Sequence, residues 1–209
     1  TGVDFSIEKL GGRIRLTDGT LRLSPMQLVV EGGTTDLELE LVTRDTPSVR
    51  FKVTADDLLL GELIARAQEE VPVEGKAHLH INITSTGHSA HELASNLSGK
   101  LSFSLENARV PKKYVEFLTA DLFGFLFRSV TFTDSYATLN CVMTGFEVDQ
   151  GVAKSVLLIG DGPNLAVEGT ATVDLGQETL DLVFLPRQKK RIGLDYSKIT
   201  VKGPMADPD

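Results

Sequence analysis

The sequence predicts an α+β protein built on one long, strongly curved, mainly antiparallel β-sheet, a β-groove with a few packed helices. Three observations lead there. Apolar residues recur with a period of two in segment after segment, turn signals separate those segments, and only three segments show helical spacing or caps. Short turns join adjacent antiparallel strands, so about a dozen such strands read as an up-and-down sheet with one apolar and one wet face.

Taken in order, Leu37, Leu39 and Leu41 alternate with Glu38 and Glu40, and Val49, Phe51 and Val53 alternate with Arg50 and Lys52. Leu79, Ile81 and Ile83 alternate with His78, His80 and Asn82, and Leu101, Phe103 and Leu105 with serines and Glu106. Leu180, Leu182 and Phe184 close the series. Turn signals stand at Asp18-Gly19, Gly32-Gly33, Gln150-Gly151 and Asp161-Gly162-Pro163. Residues 165–182 nearly repeat residues 28–41: each copy has a Val-Glu-Gly step and a later Asp-Leu. The repeat predicts two strand-turn-strand units, with Val-Glu-Gly as the pivot between strands.

Three segments break the rhythm. Residues 55–70 place Leu59, Leu60, Leu63, Ile64 and Ala67 at helical spacing, with Pro72 beyond. Ser89-Ala-His-Glu92 is a capping box that opens a short helix ending near Gly99. Lys112 to Arg128 reads as a third helix, strongly apolar near its end through Phe123, Phe125 and Phe127. Such a helix packs on a one-sided sheet, or plugs or lines its groove.

Composition narrows the function classes. A net charge of −8 argues against a nucleic-acid partner, which needs clustered Lys and Arg. The single cysteine, Cys141, excludes an internal disulfide framework and a Cys-based zinc site. The abrupt start at Thr1 and the loose end around Pro208 lead us to expect a piece of a longer protein.

The stretch Ser85-Thr-Gly-His-Ser-Ala-His-Glu-Leu-Ala-Ser-Asn-Leu-Ser-Gly-Lys-Leu101 resembles a signature of the AsmA family, in which a short helix joins two strands. Cys141-Val-Met-Thr-Gly-Phe146, Val148-Asp-Gln-Gly-Val152, Val167-Glu-Gly-Thr-Ala-Thr-Val-Asp-Leu175, Glu178-Thr-Leu-Asp-Leu182 and Val201-Lys-Gly-Pro204 follow in the family's order. The resemblance is clearest over residues 75–208. It divides the chain into a preceding sheet repeat with one helix, residues 1–74, and an AsmA-like C-terminal domain, residues 75–209, on one continuous sheet.

The resemblance implies a periplasmic body in a Gram-negative bacterium, tethered to the inner membrane by an N-terminal helix that is missing here. It also implies kinship with bridge-like lipid transfer proteins, phospholipid as the partner, a role in phospholipid transport to the outer membrane and in outer-membrane homeostasis, and no catalytic motif. The physical case is independent of that kinship. An acyl chain loses about 0.8 kcal/mol per methylene on entering water, and a continuous apolar groove removes most of that barrier.

Other constellations have plainer readings. His78, His80, His88 and His91 would be the material for a metal site, but they sit on polar faces in no recognised ligand spacing, so no metal and no cofactor is expected. Gly87-His-Ser-Ala-His91 lacks the second glycine of a nucleophile elbow, and its serine is explained by capping. Gly160-Asp-Gly162 is a turn. The basic run Arg187, Lys189, Lys190 and Arg191 reads as a solvated loop, with anionic head groups as the functional alternative.

The sequence therefore predicts a monomeric, non-enzymatic lipid-handling domain. Its groove candidates are Leu101, Phe103, Leu105, Leu157, Ile159, Leu180, Leu182 and Phe184, with Phe123 and Phe127 as gate residues. The alternative is a structural or docking module whose groove is filled by helix 112–128 and whose sheet edge recruits a partner by strand addition.

Overall fold

The computed structural model describes residues 7–30, 33–59, 74–111, 132–133, 136–189 and 198–206. They form one 13-stranded antiparallel sheet that keeps sequence order. The strands are β1 (Ile7–Gly11), β2 (Ile14–Thr17), β3 (Thr20–Val30), β4 (Gly33–Val42), β5 (Ser48–Leu59), β6 (Glu74–Thr86) and β7 (Ser98–Pro111). They continue as β8 (Phe132–Thr133), β9 (Tyr136–Asp149), β10 (Val152–Asp161), β11 (Leu165–Asp174), β12 (Thr179–Gln188) and β13 (Ile199–Pro204). Both β1 and β2 pair with β3, as two halves of one interrupted edge strand. At the other edge, among the described residues, β13 pairs with β12 alone.

Turn chemistry explains the tight hairpins. Asp18 (φ 49°) and Gly19 (φ 71°) join β2 to β3, and Gln150 (φ 45°) and Gly151 (φ 77°) join β9 to β10. Two left-handed residues in succession match the twist of antiparallel strands, and a glycine in second place adopts that backbone without steric cost.

One helix lies among the described residues, α1 (Ala90–Ser95). Ser89 Oγ accepts from the Glu92 amide at 3.1 Å, and Glu92 Oε2 accepts from the His88 amide at 2.7 Å. The helix ends at Ser95, short of Gly99, with Asn96 as its C-cap. It covers one end of the sheet: Ser85 Oγ donates to Leu93 O at 2.5 Å, and the Gly151 amide donates to Leu97 O at 2.8 Å.

The helix expected over residues 55–70 is not what forms at its start. Ala55–Leu59 belong to β5 and pair with β6. A bulge at Asp56–Asp57 inserts one extra residue in β5, putting Leu58 three positions after Ala55 on the same face. Residues 60–70 lie outside the described residues, as does the whole of the segment 112–128.

The internal repeat also folds otherwise than expected. In the first copy Val30 ends β3 and pairs with Gly33 at the start of β4. In the second copy Val167-Glu168-Gly169 runs straight through the middle of β11, and the turn comes at Leu175–Glu178. The two copies share alternation and composition, not a structural unit. The sheet also runs through position 74 without a break, because β6 pairs with β5 on one side and β7 on the other.

Candidate functional site: one apolar sheet face

Directly paired residues in an antiparallel ladder point to the same face. Register therefore traces the apolar face across the sheet. One row runs Met26, Leu37, Val53, Ile81, Leu101, Phe146 and Ser155. The next runs Leu28, Thr35, Ala55, Leu79, Phe103, Thr144 and Leu158. Beyond β10 the face continues as Gly169 and Ala171 on β11, Leu182 and Phe184 on β12, and Ile199 and Val201 on β13. Among the described residues, every buried hydrophobic side chain, from Val53 and Ala55 to Phe184 and Val201, is small or aliphatic except the Phe184 ring. Ala77, Leu105 and Ala108 form its tightest cluster, with Leu58, Phe103, Leu139 and Val142 against it.

Six of the predicted groove residues lie on this face. Leu101, Phe103 and Leu105 stand on β7, and Leu180, Leu182 and Phe184 on β12, with β9, β10 and β11 between them. Leu157 and Ile159 do not join them. The β9–β10 register slips between Ser155 and Leu157, so Leu157 faces Gly145 and Ile159 faces Met143 and Glu168 on the polar side. Val156 and Leu157 both lean over Gly145, where a Cβ would meet Val156 Cγ2 at 3.1 Å and Leu157 Cβ at 3.7 Å. Leu158 takes the place expected of its neighbours. Phe123 and Phe127 lie outside the described residues.

Sequence reasoning missed Leu158 and Phe146. Phe146 was legible, because Val142, Thr144, Phe146 and Val148 alternate on β9. For Leu158 the signal was the unbroken apolar run Val156-Leu157-Leu158-Ile159. A strand with one wet face and four consecutive apolar residues has lost its period of two, and a bulge is the simplest cause.

The opposite face is a ladder of charges. Arg22 lies 3.2 Å from Glu40, Lys100 2.7 Å from Glu147, Arg109 3.2 Å from Glu74 and Arg187 3.5 Å from Glu168. The Arg22 hydrogen bond holds Glu40 below its ordinary pKa. Asp161 is likewise lowered, first by Lys189 at 2.6 Å and then by Asn140 at 2.8 Å. Thus Lys189, from the expected solvated basic run, is tied to the sheet. A hollow of about 710 Å³ opens on this polar face, over Lys52, His80, Asn82, Lys100, Ser102 and Gly145.

Three of the four histidines, His78, His80 and His91, have carboxylate neighbours. His78 Nδ1 and His80 Nε2 lie 3.2 and 3.1 Å from Asp56 Oδ1, and His91 lies 3.9 Å from Glu178. Among the described residues, no group of three or more His, Cys, Asp or Glu is arranged to hold a metal ion. No helix among them is long and apolar enough to cross a membrane.

The family model described as the AsmA family matches residues 4–158. The match includes residues 4–70, whose motifs resemble the family less specifically, and stops at Leu158. The AsmA family protein YhjG of Escherichia coli (strain K12) is 24% identical over 209 residues, which is 99% of this chain and 30% of that protein. The chain thus spans less than a third of that relative's length. No solved structure matches.

Proposed function

The chain belongs to the AsmA family, and on that premise we propose that it is a non-enzymatic lipid-handling domain, acting in phospholipid transport to the outer membrane and in outer-membrane homeostasis. The observation that carries this reading is the apolar face, which continues from strand to strand between β2 and β13 across several bulges while the other face is studded with ion pairs. A soluble sheet of this length gains nothing from so extended a one-sided apolar surface unless something apolar lies along it. An acyl chain fits. It needs no specific polar partner, and its head group stays in solvent while its methylenes stay out of water.

The mechanism is passive. Acyl chains lie along the face beside Leu101, Phe103, Leu105, Leu180, Leu182 and Phe184, with Phe146 and Leu158 between them, and Phe123 and Phe127 acting as gates. No residue breaks or forms a bond, and no cofactor takes part. The working form is a monomeric periplasmic body tethered to the inner membrane in the longer protein. Direction and energy source belong to other components, because a groove alone has no preferred direction.

A second reading rests on the exposed edge residues Ile14 and Leu16, which remain 71% and 75% exposed on β2. In that reading the open edges of the sheet recruit a partner by strand addition, and the face is filled by the chain's own segment 112–128. Native mass spectrometry of the chain purified without detergent separates the two. Near-stoichiometric phospholipid, lost on Phe103→Asp, supports lipid handling; a clean apo mass with no uptake of added phospholipid supports docking.

A further inference from the structure

In the β5 bulge two residues, Asp56 and Asp57, stand against one residue of β6, His78, between the pairs Ala55–Leu79 and Leu58–Ala77. Asp57 takes a left-handed backbone, φ 56°. The Nδ1 atom of His78 lies 3.2 Å from Asp56 Oδ1 and 3.4 Å from the Asp57 amide nitrogen. These two contacts exclude each other. A bare Nδ1 accepts from the Asp57 amide, whereas an Nδ1 that carries a proton donates to the Asp56 carboxylate and turns an N–H against the amide.

We propose that His78, Asp56 and the Asp57 amide form a protonation-controlled hydrogen-bond switch at this bulge. In the neutral state, with the ring proton on Nε2, His78 holds the Asp57 amide and fixes the left-handed residue. On acidification the imidazolium lets the amide go and closes on Asp56. His80 Nε2, 3.1 Å from the same carboxylate oxygen, keeps Asp56 in place in both states. Histidine is the side chain whose unperturbed charge change falls between pH 5 and 8, the range over which the switch is tested.

The charged groups around His78 fit this role. On β5, Asp57 is neutralised by Lys76 of β6, Nζ to Oδ1 3.3 Å. Glu106 of β7 stands opposite Lys76, while Ser104 and Ser102 opposite His78 and His80 carry no charge. Asp36 on β4 is two pairs away from Thr34, the partner of Asp56, and Lys52 of β5 is held by Glu38. Asp56 is therefore the carboxylate that faces His78 directly. The response also reaches the other face of the sheet. Leu58 follows Asp57 in the chain and packs on the buried Ala77–Leu105–Ala108 cluster.

A pH titration of the whole chain by nuclear magnetic resonance, from pH 8 to pH 5, tests the switch. The expected result is an acceptor-type Nδ1 in neutral His78, an Asp57 amide shift and a Leu58 methyl shift that share the midpoint of the His78 ring, and loss of the Asp57 response in His78→Ala but not in His80→Ala. A flat Asp57 amide across the His78 titration, or a proton already on Nδ1 in the neutral ring, would overturn the proposal with wild-type protein alone.

Discussion

Gly169 stands directly opposite Phe184 in the β11–β12 ladder, and a methyl group on it would lie 3.1 Å from Phe184 Cδ1 and 2.8 Å from Leu158 Cδ2. The absence of a side chain at Gly169 lets Leu158 and Phe184 close over β11. Gly169→Ala forces one of them aside, and the Val183 carbonyl at 3.0 Å leaves little room to yield. Overpacking of this kind costs about 1–3 kcal/mol. Urea unfolding is expected to show that loss as a lower midpoint with an unchanged slope.

Leu157 and Leu158 are neighbours in sequence and opposites in space. Leu158→Ala is expected to cost about 2 kcal/mol or more, as removal of packed apolar atoms does. Leu157, 39% exposed on the polar face, is expected to change stability by no more than about 0.5 kcal/mol on the same substitution. A reversed order in paired denaturation curves would mean that the bulge at Val156 is absent.

That pair shows what the sequence could and could not disclose. Regular alternation made the faces of Leu37–Leu41, Val49–Val53, Leu79–Ile83, Leu101–Leu105 and Leu180–Phe184 legible, because a period of two assigns each residue to a face without further information. The cap at Ser89 was legible for a local reason as well, since its hydrogen bonds reach three residues away. The bulge at Asp57 was hidden, and the one at Val156 showed only as the unbroken apolar run Val156–Ile159. Each shifts the period by one residue, and the cause lies in pairing with a strand elsewhere in the chain. At Asp57 the shift put Leu58, three positions after Ala55, on the face of Ala55, and at Val156 it moved Leu157 and Ile159 off the face assigned to them. The Val-Glu-Gly repeat misled because its first copy opens where β3 ends, at Val30, whereas the second runs through the middle of β11 at 167–169. Which of these occurs depends on where the partner strand stops.

The reciprocal bonds at the start of α1 predict a modest, specific loss. Ser89→Ala removes the acceptor of the Glu92 amide and is expected to cost about 1 kcal/mol. Ser89→Asp should restore most of it, because a carboxylate caps the same amide. Thermal unfolding of the two variants beside the parent checks both.

Acid should weaken the polar face. Glu40, Asp56 and Asp161 are held below their ordinary pKa values, chiefly by hydrogen bonds to Arg22, His78 and Lys189 respectively. A depressed carboxylate contributes stability that is complete above its unfolded pKa, about 3.9 for Asp and 4.3 for Glu, and is lost as pH falls through the folded value. Melting temperature is therefore expected to drop below about pH 4 through these groups. The drop should be shallow, since the pairs are solvent-exposed, and shallower still in 1 M salt. Asp161→Asn should remove part of it.

The central claim is that lipid lies on one named face of the sheet. Site-specific photo-crosslinking of the chain in living bacteria tests it most directly, with the photoreactive residue placed in turn at Phe103 and Leu182 on the apolar face and at Ser102 and Asp181 on the polar face. The account predicts phospholipid adducts from Phe103 and Leu182 and none from their immediate neighbours. Adducts of equal yield from both faces, or protein adducts alone from Phe103 and Leu182, would contradict it.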